Sequence, residues 1–252
     1  MMDLERFAGV ARCYGTHGLQ RFANSHATVV GIGGVGSWVA EALARSGVGQ
    51  IDLIDLDDLC VSNTNRQLPA MMGNYGRNKA DVIAERIQAI NPYCQVRAIL
   101  DFVTPANVEQ HLTQCDVIID ACDAIKAKLA MVVHAKRQRI PIWVSGAAGG
   151  QIDPTQIQTA DLARTIQDPL LARLRRDLRQ LGWPAAPKKM AVNCVFSSEQ
   201  PRFPTPDGGV SNQRVQGSVA GLDCGGGLGA MMPVTAAFAM QLSAGALGSL
   251  LK

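Results

Sequence analysis

The stretch VVGIGGVGSWVAEALARSG, from Val29 to Gly47, constrains the fold of this chain more than any other. An apolar run leads into G-x-G-x-x-G, with glycines at 31, 33 and 36, and a helical pattern of apolar residues follows. Glycines at this spacing let a buried strand turn tightly into a helix whose first N–H groups and dipole face the ligand side, an arrangement suited to phosphate. The turn predicts a nucleotide site; the alternative is a glycine turn that serves packing alone. Asp55 lies 19 residues beyond Gly36, at the end of the next apolar run, QIDLID, where an acid can accept both hydroxyls of a ribose.

The strand–helix alternation continues beyond this unit. Apolar runs at 27–32, 50–55, 95–100, 115–121 and 141–146 read as strands. Helical spacing appears after Gly36, over 76–90 with Ile83, Ile87 and Ile90, and over roughly 125–138. Thr104 and Pro105 form a natural cap and first position for a helix over ANVEQHLT. Such alternation predicts an α/β, Rossmann-like fold with a mostly parallel sheet covered on both faces. After Gly150 proline and glycine become frequent and the pattern loosens. The expected organisation is a nucleotide-binding unit over 1–150, followed over 151–252 by a less regular substrate-binding and dimer-forming region that completes the same fold.

The polar residues after the second strand are too many for an ordinary dinucleotide site. DLDDLCVSNTNRQ supplies Asp57, Asn63 and Arg66, and GRNKA supplies Lys79 at a helix-opening turn. Arginine forks onto phosphate oxygens and lysine is a movable point charge, so two cations beside a glycine turn suit a triphosphate. With Gly31, Gly33, Gly34, Gly36 and Asp55 they form the candidate nucleotide set. Asp123 in DACDA follows the fourth strand, at the end where ligands sit in parallel sheets, and can hold Mg²⁺ on the phosphates. The competing reading makes Arg66 and Lys79 solvated charges and Asp123 a helix cap.

A formal charge of +3, from 24 basic and 21 acidic residues, does not mark the whole chain as a nucleic-acid binder, so any basic surface is local. One such excess is at 151–190, with seven Lys or Arg against four Asp or Glu, equal to the excess of the whole chain. There Leu170, Leu174, Leu178 and Leu181 recur at helical spacing and leave Arg173, Arg175, Arg176 and Arg179 mainly elsewhere on the helix, either as an anion-binding face or as a solvated one. Seven cysteines without a Cys-x-x-Cys pair favour free thiols in a reducing cytoplasm over disulfides or a four-cysteine zinc site. The acidic, short-cored N-terminus argues against a secretory signal. The four histidines, at 17, 26, 111 and 134, lack metal-ligand spacing. The uncharged tract from Gly225 to Leu251 is long enough to span a bilayer, but its Gly, Ala and Pro content and missing anchors favour a buried or interface helix over a membrane association through 228–251.

GIGGVGS, DLDDLCVSNTNRQ, GRNKA and DACDA, recurring in this order, resemble the nucleotide site of the ubiquitin-activating-like family, whose bacterial members include the ThiF, MoeB and HesA proteins. That resemblance covers about residues 6 to 150 and implies ATP-dependent adenylation of a carboxylate. It assigns Asp55 to the ribose, Asn63, Arg66 and Lys79 to the phosphates, and Asp123 to magnesium. Arg12 in RFAGVARCYG matches the family's N-terminal arginine, which reaches into the partner subunit's ATP site, so a homodimer is implied.

Members that charge small sulfur-carrier proteins often have two Cys-x-x-Cys pairs; this chain has none. GGQIDPTQIQTADLARTIQDPL at 149–170 and NCVFSSE at 193–199 instead resemble the branch of the family that acts on tRNA, cyclising threonylcarbamoyladenosine beside the anticodon at the expense of ATP. With tRNA as substrate, the arginines at 173, 175, 176 and 179 are the expected tRNA surface, a solvated helix face being the alternative; by the resemblance, a cysteine-desulfurase or sulfur-acceptor system is a partner of some relatives. Neither a monovalent-cation site nor the product ring isomer follows from the residues. Cys194 is either an acyl or sulfur carrier, as cysteines near this place are in relatives, or an inert buried thiol; intramolecular cyclisation needs no covalent carrier. Adenylation of a sulfur-carrier C-terminus is the alternative function.

Overall fold

A computed structural model describes residues 5–112, 114–213 and 228–252. Its main sheet contains β1 (His26–Val30), β2 (Gln50–Ile54), β3 (Gln95–Ile99), β4 (Val117–Asp120), β5 (Ile142–Ser145), β6 (Ile157–Asp161) and β7 (Asn193–Ser197), in the order β3-β2-β1-β4-β5-β7-β6. Every pairing is parallel except that of β6 with β7, which closes the far edge. A small antiparallel ribbon, β8 (Phe203–Pro204) with β9 (Val210–Ser211), stands apart. The helices are α1 (Ala8–Ala23), α2 (Gly36–Arg45), α3 (Lys79–Ile90), α4 (Val108–Leu112), α5 (Ile125–Gln138), α6 (Pro169–Gln180) and α7 (Met232–Leu250).

Alternation along the strands splits the core in two. In β1, Val29 packs into a cluster with Val39 and Leu43 of α2, Ile83 and Ile87 of α3, and Phe238 and Leu242 of α7. Its neighbour Val30 points to the opposite face, among Met131 of α5 and Leu171, Leu174 and Leu178 of α6. Chain order runs outward from β1 in both directions, through β2 to β3 and, after the crossover, through β4 to β5. The reversal at β1 and β4 opens a crevice at the carboxyl ends of these strands.

The uncharged C-terminal tract is core. Phe238, Leu242 and Ala246 of α7 are fully buried, and burial contributes about 1.5–3 kcal/mol for each large side chain among them. Gly245 lies flat against Trp143, where a β-carbon would fall 2.3 Å from the indole ring. Among the described residues no helix is long and apolar enough to cross a membrane. Gly225–Gly227, the start of the expected tract, and Cys224 lie outside the described residues.

Three local expectations change. The helix expected from residue 76 begins at Lys79, because the Asn78 side chain accepts the Ala80 N–H and caps it. The helix expected from Pro105 begins at Val108: Thr104 donates its N–H to Asn107 Oδ1 at 2.6 Å, so 105–107 form a turn. Thr113, its expected last residue, lies outside the described residues. In α6 the inward leucines are 171, 174 and 178, while Leu181 is exposed beyond the helix end. The sheet itself runs across residue 150, since β7 pairs with β5.

Candidate active site

The crevice holds a cavity of about 470 Å³ lined by Gly31, Gly33, Gly34, Asp55, Asp57, Arg66, Lys79 and Asp123. Eight residues chosen from four separate motifs thus meet at one end of the sheet. The other expected nucleotide residues, Gly36 and Asn63, do not line it.

The glycines have different tasks. Gly31 takes φ +86°, and a β-carbon there would lie 2.8 Å from the Cys122 backbone N. At Gly36 it would lie 1.8 Å from the Gly31 carbonyl oxygen, so only glycine lets α2 start this close to the strand end. Gly34 leaves room for the Arg66 stem, whose Cγ would be 3.1 Å from an added β-carbon. Gly33 has only Gln67 Nε2 near, at 3.9 Å, and presents bare backbone to the cavity.

Asp55 stands at the carboxyl end of β2. Its Oδ2 accepts the Ile32 N–H at 2.6 Å and its Oδ1 the Asp57 N–H at 2.9 Å, which ties this acid to the glycine turn. Burial lifts its carboxyl above the ordinary carboxylate value, against the Lys79 ammonium and the two N–H groups, which pull it down. Each oxygen keeps lone-pair capacity for a hydroxyl donor. Lys79 is 5% exposed and its ammonium sits 2.8 Å from Asp57 Oδ2. The Lys79 N–H donates to the Asp57 carbonyl at 3.0 Å, so the helix start and the loop after β2 are joined through both backbone and side chain.

Asn63 is buried and works on the loop: its Oδ1 accepts the Cys60 N–H at 3.0 Å, and its carbonyl accepts from Arg66 and Gln67 N–H. Arg66 donates from Nη1 to the Ser62 carbonyl and Asn65 Oδ1, and its own carbonyl accepts the Trp38 indole N–H. The start of α7 fastens the same loop, since the Met232 N–H donates to the Asn65 carbonyl at 3.0 Å.

Asp123 is exposed on the cavity wall beyond β4. Among the described residues no group of three or more His, Cys, Asp or Glu forms a metal cage. A lone carboxylate beside a phosphate site suits Mg²⁺, which keeps several waters and takes one or two carboxylates plus phosphate oxygens.

The remaining candidates lie elsewhere. Arg12 is exposed on α1, off the cavity wall of its own chain. Cys194 is fully buried in β7, with Sγ 3.8 Å from the Val192 carbonyl, and burial pushes its thiol well above the ordinary range. Arg173, Arg176 and Arg179 are exposed on α6, whereas Arg175 turns inward and donates to the Leu162 and Thr165 carbonyls and to Thr165 Oγ1. It sits four residues after Leu171, beside the buried face.

Besides Asp101–Val103 beyond β3, sequence reasoning missed one wall of the cavity: the turn Ser145–Gly149 after β5, Leu170 of α6, and Leu228, Ala230 and Thr235 around the start of α7. The residues of this wall are small or apolar and carry no spacing signal. Only the rule that ligands gather beyond parallel strands could have pointed to the turn.

A mostly parallel sheet with a glycine turn, an acid after the second strand and two cations at the strand-order reversal defines a nucleotide-binding α/β fold. The chain belongs to the ThiF family, which it matches over residues 6–252. It is 51% identical over 238 residues to the tRNA threonylcarbamoyladenosine dehydratase of Escherichia coli K12, covering 93% of this chain and 89% of that protein. The Haemophilus influenzae protein of the same name is 45% identical over 98% of this chain and 94% of its own length. Among solved structures, the E. coli dehydratase in complex with ATP superposes with a TM-score of 0.87 at 47% identity, over 98% of this chain and 94% of that one.

Proposed function

We propose that this chain carries out the ATP-dependent dehydration of threonylcarbamoyladenosine in tRNA, closing a ring through an acyl adenylate of the threonyl carboxylate. The observation that carries the reading is the convergence of Gly33, Asp55, Arg66, Lys79 and Asp123 on one cavity in a chain about half identical to a dehydratase of that name.

A carboxylate is a poor electrophile because it would have to expel oxide. In the proposed first step a carboxylate oxygen attacks the α-phosphorus of ATP and pyrophosphate leaves. The carbamoyl group of the same side chain, through its oxygen or its adenine-side nitrogen, then attacks the acyl carbon; AMP departs with the former carboxylate oxygen, and the proton of a carbamoyl N–H passes to solvent. Water is thereby removed as ATP becomes AMP and pyrophosphate. Arg66 and Lys79 stabilise the charge that builds on the phosphates, the kind of preorganised electrostatic contribution that dominates such transfers. Asp55 holds the ribose, and the N–H groups at Gly33 and Gly34 receive phosphate oxygens. Asp123 would hold Mg²⁺, which supplies further charge neutralisation on the phosphates when bound. Ring closure is intramolecular, and effective molarities of about 10⁵ M are attainable in a held geometry, so no thiol carrier is required. Burial of Cys194 agrees with that economy.

The exposed arginines of α6 would contact the tRNA backbone, and Arg12 would complete the site of a second copy in a homodimer. The test is AMP formation from ATP with tRNA carrying threonylcarbamoyladenosine, unmodified tRNA and a sulfur-carrier protein supplied separately. AMP only with the first supports the reading; AMP with the sulfur carrier and not with modified tRNA overturns it in favour of protein adenylation.

A further inference from the structure

Beneath the cavity wall that sequence reasoning missed lie charged groups with no part in the steps above. Lys128 of α5 and Asp120 of β4 are both fully buried. The Lys128 ammonium donates to Asp120 Oδ1 at 3.0 Å and to the Ser145 carbonyl at 2.8 Å, and Asp120 Oδ1 also accepts the Cys122 N–H at 3.2 Å. One buried lysine thus fixes the first residue of the turn after β5 to the end of β4. Two residues on, the turn is held from the other side. Asp168, 6% exposed, accepts the Ala147 N–H on Oδ2 at 2.8 Å. Its Oδ1 accepts the Leu171 N–H at 2.9 Å and caps α6. Space for this contact depends on Gly146, where a β-carbon would lie 2.0 Å from Asp168 Oδ2.

The position of the turn gives the contact a purpose. Across the carboxyl ends of the sheet, Asp55 follows β2, the glycine turn follows β1, Asp123 follows β4 and the Ser145–Gly149 turn follows β5. A nucleotide with its ribose at Asp55 and phosphates over the glycine turn leaves the β5 end of the cavity for the carboxylate-bearing substrate. Ser145 to Gly149 and Leu170 line that end. The same Asp168 that anchors this wall also starts the helix bearing Arg173, Arg176 and Arg179. We propose that Asp168 is a positioning residue for the adenylation step, holding the Ser145–Gly149 wall in register with α6 so that a substrate bound along α6 presents its carboxylate to the α-phosphate. This inference rests on the tRNA reading above, and it assigns Asp168 no contact with substrate or ATP.

Asp168→Ser separates the two contacts, because serine is as good an N-cap as aspartate but has one oxygen and cannot also hold Ala147. Gly146→Ala disturbs the same contact from the other side, by driving a methyl group into Asp168 Oδ2. For both variants, measured with modified tRNA, we expect kcat for AMP formation per titrated ATP site to fall about 10- to 100-fold, the cost of misplacing reacting groups by roughly an ångström. ATP and tRNA dissociation constants should stay within about twofold. A merely structural role would lower the number of titratable sites and leave kcat per site unchanged. A folded variant with kcat per site within about twofold of the parent overturns the proposal, as does loss of folding in both variants, which would give the contact to stability alone. A parent chain that forms no AMP on modified tRNA refutes the tRNA reading itself, and this inference with it.

Discussion

Gly33 and Gly36 lie three residues apart in one motif, yet the structure predicts opposite consequences for the same substitution. In Gly36→Ala the new β-carbon meets the Gly31 carbonyl oxygen at 1.8 Å and the Gly31 carbonyl carbon at 2.9 Å, both backbone atoms that no rotamer change can move. Relief requires α2 to shift from the end of β1 by more than an ångström, through a core in which Val39, Ala40 and Leu43 are fully buried. Overpacking of this kind costs about 1–3 kcal/mol. For a chain of this size each kcal/mol lowers Tm by about 2–4 °C, so a drop of roughly 2–12 °C is expected. In Gly33→Ala the nearest atom is Gln67 Nε2 at 3.9 Å and the backbone lies outside the left-handed region, so Tm should change by less than about 2 °C. The methyl group instead occupies the space through which a phosphate must approach the turn. ATP affinity should fall at least tenfold, which corresponds to about 1.4 kcal/mol.

Thermal melting without nucleotide, paired with calorimetric titration of ATP, resolves the two. The reasoning is refuted if Gly33→Ala binds ATP like the parent chain, since the phosphate then does not cross this backbone. It is equally refuted if Gly36→Ala melts with the parent, since the packing contact would then be absent.

Asp123→Asn should abolish AMP formation with Tm unchanged, because the carboxylate is exposed on the cavity wall; near-normal turnover would remove it from the site. If Arg12 acts across a dimer, mixing inactive Arg12→Ala with inactive Asp123→Asn chains should restore part of the activity, and absence of rescue despite demonstrated subunit exchange would place Arg12 elsewhere. Changing Arg173, Arg176 and Arg179 to Gln should weaken tRNA binding, lower the slope of log K against log salt by about 2, and leave ATP affinity intact; an unchanged slope would move the tRNA surface off α6. Buried Asp52 is lifted by desolvation but pulled further down by His26, whose Nε2 lies 2.9 Å from its Oδ2, and by hydrogen bonds from Arg97, so its pKa ends below the ordinary 3.8. Its stabilisation is therefore present above that value and is lost as pH falls through the lower, folded pKa, and melting curves of the parent and Asp52→Asn should converge there.

What the sequence made legible is what physical chemistry forces into local pattern. The glycine turn, the strand and helix alternation and the acid after β2 are each demanded by backbone geometry within a few residues, and the structure has all three in the expected places. The helix over 125–138 appears as Ile125–Gln138, with Ala127, Met131, Val132 and Ala135 buried at helical spacing although Lys128 and His134 share that face. The helix at 105 misled because Thr-Pro is an equally good turn opener, and the Asn107 side chain closes on Thr104 first. In α6 a one-residue error in reading the leucine stripe concealed that Arg175 belongs to the inner face. The buried partnership of Lys128 with Asp120 and the reach of Asp168 to Ala147 link residues 8 and 21 positions apart through the fold. No periodicity encodes such pairs.

The same distinction separates the polar residues that bind from those that prepare. Asp57 lines the cavity with a side chain 53% exposed, while the ammonium of Lys79 beside it is almost wholly withdrawn from water. A buried ammonium without a partner would be costly, and the contact with Asp57 at 2.8 Å supplies that partner before ATP arrives. Lysine has three donors, so one bond to Asp57 leaves two for phosphate oxygens. Asn63 acts at one further remove: by capping the Cys60 N–H and accepting from Arg66 and Gln67, it shapes the loop that carries the arginine, and it lines no part of the cavity itself. The nucleotide signature is therefore two interleaved sets. Asp55, Asp57, Arg66, Lys79 and Asp123 line the cavity, whereas Gly36 and Asn63 stand behind it and shape the turn and loop that carry them.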